Sequence, residues 1–328
     1  MGCQDYGSFF VLLPPKTSET RMSTTVSLPV TKQAISVLIP TYNHVCVPLV
    51  QSLLPLLQAA EAVRYEIIVA DDGSTDSATI EGNRAINALP HCRYIVREQN
   101  AGRAAIRNFL AREAQHDWLL FIDSDMTVPD DHFIRRYLDC PADTVIDGGV
   151  RIGGDAEALR GNLRYLYEKA EEDKHTATQR QKQPHQHLHT ANLLIRRSLM
   201  LQHPFDERFR HYGYEDVLLG KTLRQHHIPI AHIDNPLGFC TFERNPDFVA
   251  KTEEGLRTLH AFRAELRGYS RLLTLTGNIH LPAIRTLIRL FHHIFGRLER
   301  RNLCGSRPNL LLFKLYRLGY FLMLEKQR

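Results

Sequence analysis

Between Ala34 and Ile122 four short apolar runs, AISVLIP, YEIIVA, CRYIVRE and WLLFI, alternate with segments whose apolar residues recur at helical spacing. This alternation restricts the fold more than any other feature of the chain. A run of four to eight β-branched and large apolar residues, closed by turn formers, reads as a strand covered on both faces, as in a parallel sheet. The intervening segments VPLVQSLLPLLQAAEA, SATIEGNRAINAL and NAGRAAIRNFLAREAQ read as helices. The first contains Pro55, which kinks or delimits it, and the last opens after Gly102. Strand and helix in succession predict an α/β fold with a Rossmann-like, mostly parallel, doubly wound sheet. In such sheets ligands gather outside the carboxyl ends of the strands, so the residues that follow each run are the first site candidates.

Those residues are PTYN (Pro40 to Asn43), DDGS (Asp71 to Ser74), NAGRAAIRN (Asn100 to Asn108) and DSD (Asp123 to Asp125). If the chain stays extended through Ser124, side chains two apart point the same way and Asp123 and Asp125 present their carboxylates together. Two such acids repel unless something positive lies between them. Taken alone, each motif has a plainer reading: DDGS is a common turn and D-x-D a solvated loop. The phosphate loop G-x-x-x-x-G-K-[ST] and the G-x-G-x-x-G fingerprint are both absent, which removes the main support for an ATPase or a dehydrogenase.

Past Asp125 the order changes. TVIDGGVRIGG, HTANLLIRR and PIAHIDN read as strands, and AEALRGNLRYLYEKAEEDKHTATQRQKQPHQH as a helix running into a polar loop. GYEDVLLGKTLRQHHI is a short helix and NPDFVAKTEEGLRTLHAFRAEL a long amphipathic one. The expected organisation is a flexible Ser-, Thr- and Pro-rich leader over 1–33, with Met22 as an alternative start, a main domain over 34–245, a helical extension over 246–280 and a basic amphipathic helical tail over 281–328. That tail carries ten Lys and Arg against two Glu, while the whole chain has a net charge of +5. Within it, LPAIRTLIRLFHHIFGRLERR places Ile284, Leu287, Ile288, Phe291, Ile294, Phe295 and Leu298 at helical spacing, with basic residues on other faces. Such a helix suits the headgroup layer of an anionic membrane, or packs its stripe on the main domain. The six cysteines form no C-x-x-C pair, so neither a zinc site nor a disulfide framework is indicated and a reducing cytoplasm is expected. No stretch of 18 uncharged apolar residues exists, and the opening MGCQDYGSFFVLLPP lacks the pattern of a signal peptide.

The motifs ISVLIPTYN, EIIVADDGSTD, REQNAGRAAIRN, LLFIDSDMTVP and FRHYGYEDVLLG, in this order and spacing, resemble those of the family-two glycosyltransferases of GT-A fold. The resemblance runs from Ala34 to Arg244. It implies an inverting transfer of a sugar from a nucleoside diphosphate sugar, a UDP-sugar first, to a hydroxyl acceptor. It further implies that Pro40, Thr41 and Tyr42 line the base and ribose, and that Asp72, ahead of Asp71, accepts a hydrogen bond from the base. Asn100 and Arg107 would lie on the nucleotide side, Arg107 near the phosphates. Asp123 and Asp125 would hold Mn²⁺ or Mg²⁺ bridged to the diphosphate, a cation suited to carboxylate and phosphate oxygens. Glu215 and Asp216 would be the E-D pair, with Asp216 taking the acceptor's proton.

One departure from the family pattern is the absence of a His just after the last strand, where DNPLGFCTFERN offers Phe239 and Cys240. His232 reads as a structural histidine, and His185, His187 and His189 as solvated or acceptor-facing residues of a polar loop. Two rival readings remain open: a haloacid-dehalogenase-like phosphatase using Asp123 of FIDSDMT as nucleophile, and a non-catalytic membrane-associated scaffold. The family's commonest setting implies bacterial surface polysaccharide or glycolipid assembly, with a lipid-linked glycan as acceptor. It also implies a cytoplasmic enzyme, peripheral at the inner face of the cell membrane, without a nucleic-acid partner.

Overall fold

The computed structural model describes residues 32–326, so the leader expected over 1–33 lies outside the described residues except for Lys32 and Gln33. The first half follows the alternation of the sequence: β1 (Ala34–Thr41), α1 (Val47–Gln58), β2 (Arg64–Asp71), α2 (Ser77–Asn83), β3 (Cys92–Val96), α3 (Arg103–Glu113) and β4 (Trp118–Ile122). Pro55 does not interrupt α1, because both it and Gln51, whose carbonyl loses its partner, face solvent. Then come β5 (Met126–Thr127), α4 (Phe133–Asp139), β6 (Val145–Asp147), β7 (Val150–Ile152), α5 (Leu163–Glu171), α6 (Ala177–Gln181), β8 (Asn192–Arg196) and α7 (Arg197–Gln202). The chain continues with α8 (Glu215–Gln225), β9 (Ile230–His232), β10 (Leu237–Phe239), α9 (Asn245–Ala261), α10 (Arg271–Asn278), α11 (Pro282–Leu303) and α12 (Leu310–Leu324).

Seven strands form one sheet in the order β3-β2-β1-β4-β8-β6-β9. β3, β2, β1 and β4 are parallel, and β8 runs antiparallel between β4 and β6. Both faces are covered, and β1 records this in its alternation. Ile35, Val37 and Ile39 enter the apolar cluster with Leu53 of α1 and Phe133 of α4, whereas Leu38 enters the opposite cluster with Ile106 of α3 and Leu219 of α8. The parallel register sets Thr41 level with Asp71, and Asp71 level with Val96, so the strand-end motifs emerge along one edge.

TVIDGGVRIGG does not make one strand. It breaks at Gly148-Gly149, leaving β6 in the main sheet and β7 in a small sheet of order β5-β10-β7. Gly149 has φ +82°, where an L side chain is strained, and a Cβ there would lie 2.3 Å from the Arg180 guanidinium. A third apolar cluster, with Leu163, Phe248, Val249, Leu303, Phe313 and Tyr316, binds α5, α9, α11 and α12 together.

Candidate active site

Two adjoining depressions open at the carboxyl edge of the sheet. A groove of about 690 Å³ is lined by Pro40, Thr41, Tyr42, Asp72, Asn100, Gly102 and Arg107. Beside it lies a cavity of about 400 Å³ lined by Tyr167, Glu168, His189, Tyr212, Glu215, Asp216, Phe313 and Arg317. Asp123, Asp125, Arg103, Arg164, Tyr212 and Lys251 border both.

In the groove, Asp72 is buried and held. Its carboxylate accepts hydrogen bonds from Arg97 Nη1 at 2.8 Å and from the backbone N–H groups of Ala101 and Gly102, the latter also at 2.8 Å. The loop comes this close because residue 102 is glycine: φ is +92° and a Cβ would sit 2.7 Å from the Arg210 carbonyl oxygen. Asp71 corrects an expectation. It is fully buried and does not reach the groove, since it accepts from Tyr94 Oη at 2.6 Å and from Ser74 N at 2.7 Å, closing the DDGS turn from within.

The D-x-D pair also departs from expectation in its backbone. β4 ends at Ile122, and Met126 N donates to Asp123 O at 3.2 Å, so Asp123 to Asp125 form a turn and not an extended strand end. The chain turns here because Met126 and Thr127 must reverse to pair with β10. Both carboxylates still border groove and cavity, but their environments differ. Arg107 Nη2 donates to Asp123 at 2.6 Å, and Arg103 lies 3.6 Å away. Burial works against ionisation of Asp123, yet these two guanidinium groups prevail and hold its carboxyl below the usual range. Asp125 has no ion-pair partner within 4.0 Å among the described residues. Burial, reinforced by the neighbouring Asp123, pushes its carboxyl up.

A carboxylate crowded by a second and lacking a cation of its own is the donor set expected where an added divalent cation completes the charge balance. Among the described residues no three His, Cys, Asp or Glu side chains could hold a metal by themselves. Asp123 and Asp125 therefore fit a cation only if other oxygens complete its shell. Of the two residues where a His was expected, Phe239 is buried and Cys240 is exposed with Sγ 3.6 Å from Thr127 Oγ1. His232 is structural: its ring accepts from Arg180 Nε at 3.1 Å and bonds the Pro184 carbonyl at 2.9 Å. The loop histidines separate, with His185 bonding the Ile228 carbonyl while His187 and His189 pack edge to face with His175.

Arg107 is buried and ties the two depressions together, reaching Asp123 with one nitrogen and Glu215 with the other at 3.3 Å. Glu215 is thereby occupied. Asp216, the next residue, projects into the cavity from the first turn of α8, which the left-handed backbone of Gly213 and Tyr214 (φ +93° and +72°) aims inward. Its carboxylate accepts from Val217 N at 2.7 Å. Burial, and then the charge of Glu215, push its pKa up to about 6.

The model of the family described as "Glycosyl transferase family 2" matches residues 36–203, just over half of the chain. The chain belongs to this glycosyltransferase family. It is 35% identical over 102 residues to an uncharacterized glycosyltransferase of Haemophilus influenzae, covering 31% of this chain and 40% of that protein. It is 32% identical over 122 residues to a chondroitin synthase of Escherichia coli, covering 37% of this chain and 17% of that one. Both alignments span less than half of the relative's length. Among solved structures, the mannosyltransferase PcManGT of Pyrobaculum calidifontis, in complex with GDP-Man and Mn²⁺, superposes with a TM-score of 0.53. At 14% identity, over 91% of this chain and 89% of that one, the match establishes the shared GT-A type α/β fold.

Sequence reasoning missed Arg164, Tyr212, Lys251 and Arg317 as site residues. Arg103 had a signal, lying one helical turn before Arg107 in NAGRAAIRN. Tyr212 also had one, lying within FRHYGYEDVLLG three residues before Glu215, whereas Arg164, Lys251 and Arg317 lie far apart in the chain and only the packing of α5, α9 and α12 brings them together.

Proposed function

We propose that this protein is an inverting glycosyltransferase moving a sugar from a nucleoside diphosphate sugar, a UDP-sugar first, to a hydroxyl acceptor, with Mn²⁺ or Mg²⁺ held by Asp125 and Asp123. The observation that carries the reading is the contrast between two carboxylates on one opening: Asp125, without a cationic partner, and Asp216, raised to about 6 on the cavity side. Asp125 and Asp123 would hold the divalent cation, whose positive charge would stabilise the departing diphosphate. The groove side, with Pro40, Thr41, Tyr42, Asp72 and Asn100, receives the nucleotide, and Arg103 and Lys251 add positive charge where the two depressions meet. Arg107 lines the groove on the phosphate side and fixes Asp123 and Glu215. Asp216 takes the proton from the acceptor hydroxyl while that oxygen bonds the anomeric carbon and the bond from carbon to the diphosphate oxygen breaks. Attack from the face opposite the leaving group inverts the configuration. A base with pKa about 6 is largely ionised at neutral pH yet still basic enough to accept a proton. The phosphatase alternative loses support because Arg107 engages the carboxylate that would have to attack.

The proposed setting is bacterial surface polysaccharide or glycolipid assembly at the inner face of the membrane, with a lipid-linked acceptor. Its support is α11. This helix turns a polar face to α12, where Arg285 meets Glu325 and His292, bonded to Glu299 of its own helix at 2.6 Å, packs against Tyr316. Its apolar stripe faces outward, with Leu287 66% and Leu298 60% exposed and Ile284, Phe291 and Ile294 exposed beside them. No helix among the described residues is long and apolar enough to cross a membrane. A stripe of this kind lies in the headgroup layer, aided by Arg297 and Arg301.

A thermal-shift panel of UDP-, GDP- and dTDP-sugars with and without Mn²⁺ tests the catalytic reading: one sugar nucleotide should stabilise the protein only with the cation. No shift with any of them would sink it. Flotation with anionic liposomes tests the setting, which fails if the full-length protein stays in the soluble fraction at low salt.

A further inference from the structure

Four cationic side chains wall the cavity that holds Asp216, and three of them already face a carboxylate. Arg103 lies 3.6 Å from Asp123, Arg164 pairs with Glu243, and Lys251 reaches Glu243 at 3.3 Å. Arg317 differs. Among the described residues no carboxylate oxygen lies within 4.0 Å of its guanidinium, and its Nη1 donates to the phenol oxygen of Tyr167 at 3.0 Å. Its Nε, like that of Arg164, is buried without any acceptor, so the missing carboxylate is what sets Arg317 apart. The guanidinium is held in place by the rings of Tyr167 and Phe313, with centroids 5.4 and 5.5 Å away. A fixed, partly desolvated guanidinium with an unused donor is costly unless an anion completes it. Its planar fork suits phosphate or carboxylate oxygens.

The position of Arg317 indicates which substrate would bring that anion. It borders the cavity together with Asp216 and does not border the groove of Pro40, Thr41 and Tyr42. Glu168 lines the same wall, and its carboxylate does not come within 4.0 Å of the Arg317 guanidinium. We propose that Arg317 binds an anionic group on the acceptor, a phosphate or a carboxylate, and that α12 is thereby the element selecting the acceptor. This rests on the reading of the cavity as the acceptor side of a transferase.

The test is calorimetric titration of the full-length protein with glucose, glucose 1-phosphate and glucuronic acid, both alone and saturated with UDP and Mn²⁺. One charged probe should bind at least tenfold more tightly than glucose, and which one does so identifies phosphate or carboxylate as the group read. Arg317→Gln should remove that preference and Arg317→Lys should keep part of it, while UDP affinity in both variants stays within twofold of the parent. Equal or undetectable binding of all three probes overturns the proposal, as does a preference that survives Arg317→Gln. A large loss of UDP affinity in Arg317→Gln also overturns it by placing the residue on the donor. If UDP with Mn²⁺ fails to bind the parent protein, the transferase reading is what fails, and the titrations without nucleotide still decide whether Arg317 reads an anion.

Discussion

The groove and the cavity meet at Asp123 and Asp125 but are built in opposite ways. The groove is assembled from consecutive strand ends, each brought to the same edge by the parallel register of β1 to β4. Two of its acids are neutralised locally, Asp72 by Arg97 and two backbone N–H groups and Asp123 by Arg107 and Arg103, while Asp125 on the shared border has no cation partner among the described residues. The cavity is assembled from α5, α8, α9 and α12, and its Tyr167–Arg317 contact joins residues 150 apart in the chain. There Asp216 stays perturbed, with its carboxyl raised and its acidic neighbour bound elsewhere. The part of the groove proposed to receive the nucleotide base is satisfied in its resting state. A wall that performs proton transfer has to keep one group out of balance, and that costs stability.

Arg107 is where the comparison can be broken most severely, because this one buried cation pairs both with Asp123 on the shared border and with Glu215 of the cavity. Arg107→Met leaves the buried Glu215 without its partner and Asp123 with Arg103 alone, and stability should fall by about 3–5 kcal/mol, read from urea unfolding. A loss below about 1 kcal/mol would mean that the two carboxylates are satisfied by other groups and that the walls are not coupled through this residue.

The strain assigned to Asp216 has its own signature. Its folded-state pKa, about 6, lies above the ordinary 3.8, so the folded protein holds the proton more tightly than the unfolded chain does. Stability from this group therefore falls as pH rises from about 4 to about 6 and stays reduced above that. Asp216→Asn should accordingly stabilise the protein at pH 8, by roughly 1–3 kcal/mol, with the gain vanishing near pH 4. Turnover of the parent should decline as pH falls through about 6. Thermal melts across this range would refute the account if Asp216→Asn were destabilised at pH 8, the behaviour of a plain helix-capping acid.

A smaller effect probes how the cavity wall is held. Asn162 caps α5, accepting from Tyr165 N at 2.9 Å and donating to the Glu243 carbonyl at 2.9 Å. Asn162→Ala should cost about 1 kcal/mol and weaken the placement of Tyr167, which lines the cavity and not the groove, while the strand-end residues of the groove stay in place. Nucleotide binding that fell as far as acceptor binding would blur the distinction between the walls.

These differences also explain what could be read from the amino-acid sequence. The parallel core was legible because four apolar runs needed cover on both faces, and the groove because its motifs follow those runs directly. Asp71 and Asp72 are chemically alike and adjacent, and only the fold separates them, turning one inward to Tyr94 and the other to the loop of Gly102. The D-x-D turn was hidden because the pairing that forces it, Met126 with Phe239, spans more than a hundred residues. Gly148-Gly149 was read as part of a strand, since nothing local marks a change of sheet. Arg317 was counted only as part of a basic tail. Its role depends on Tyr167 and Phe313 holding it and on the absence of a nearby carboxylate, neither of which a linear charge count contains.

The central claim is the division of labour between Asp125 and Asp216, and one paired measurement tests it most directly. Calorimetric titration of the nucleotide with Mn²⁺ would be run beside a turnover assay on Asp125→Asn and Asp216→Asn. The account predicts that Asp125→Asn loses cation-dependent nucleotide binding and turnover together. Asp216→Asn should retain binding within about twofold while turnover falls by about 10²- to 10⁴-fold, the usual worth of a general base. Near-normal turnover in Asp216→Asn, or loss of nucleotide binding in that variant, would contradict it.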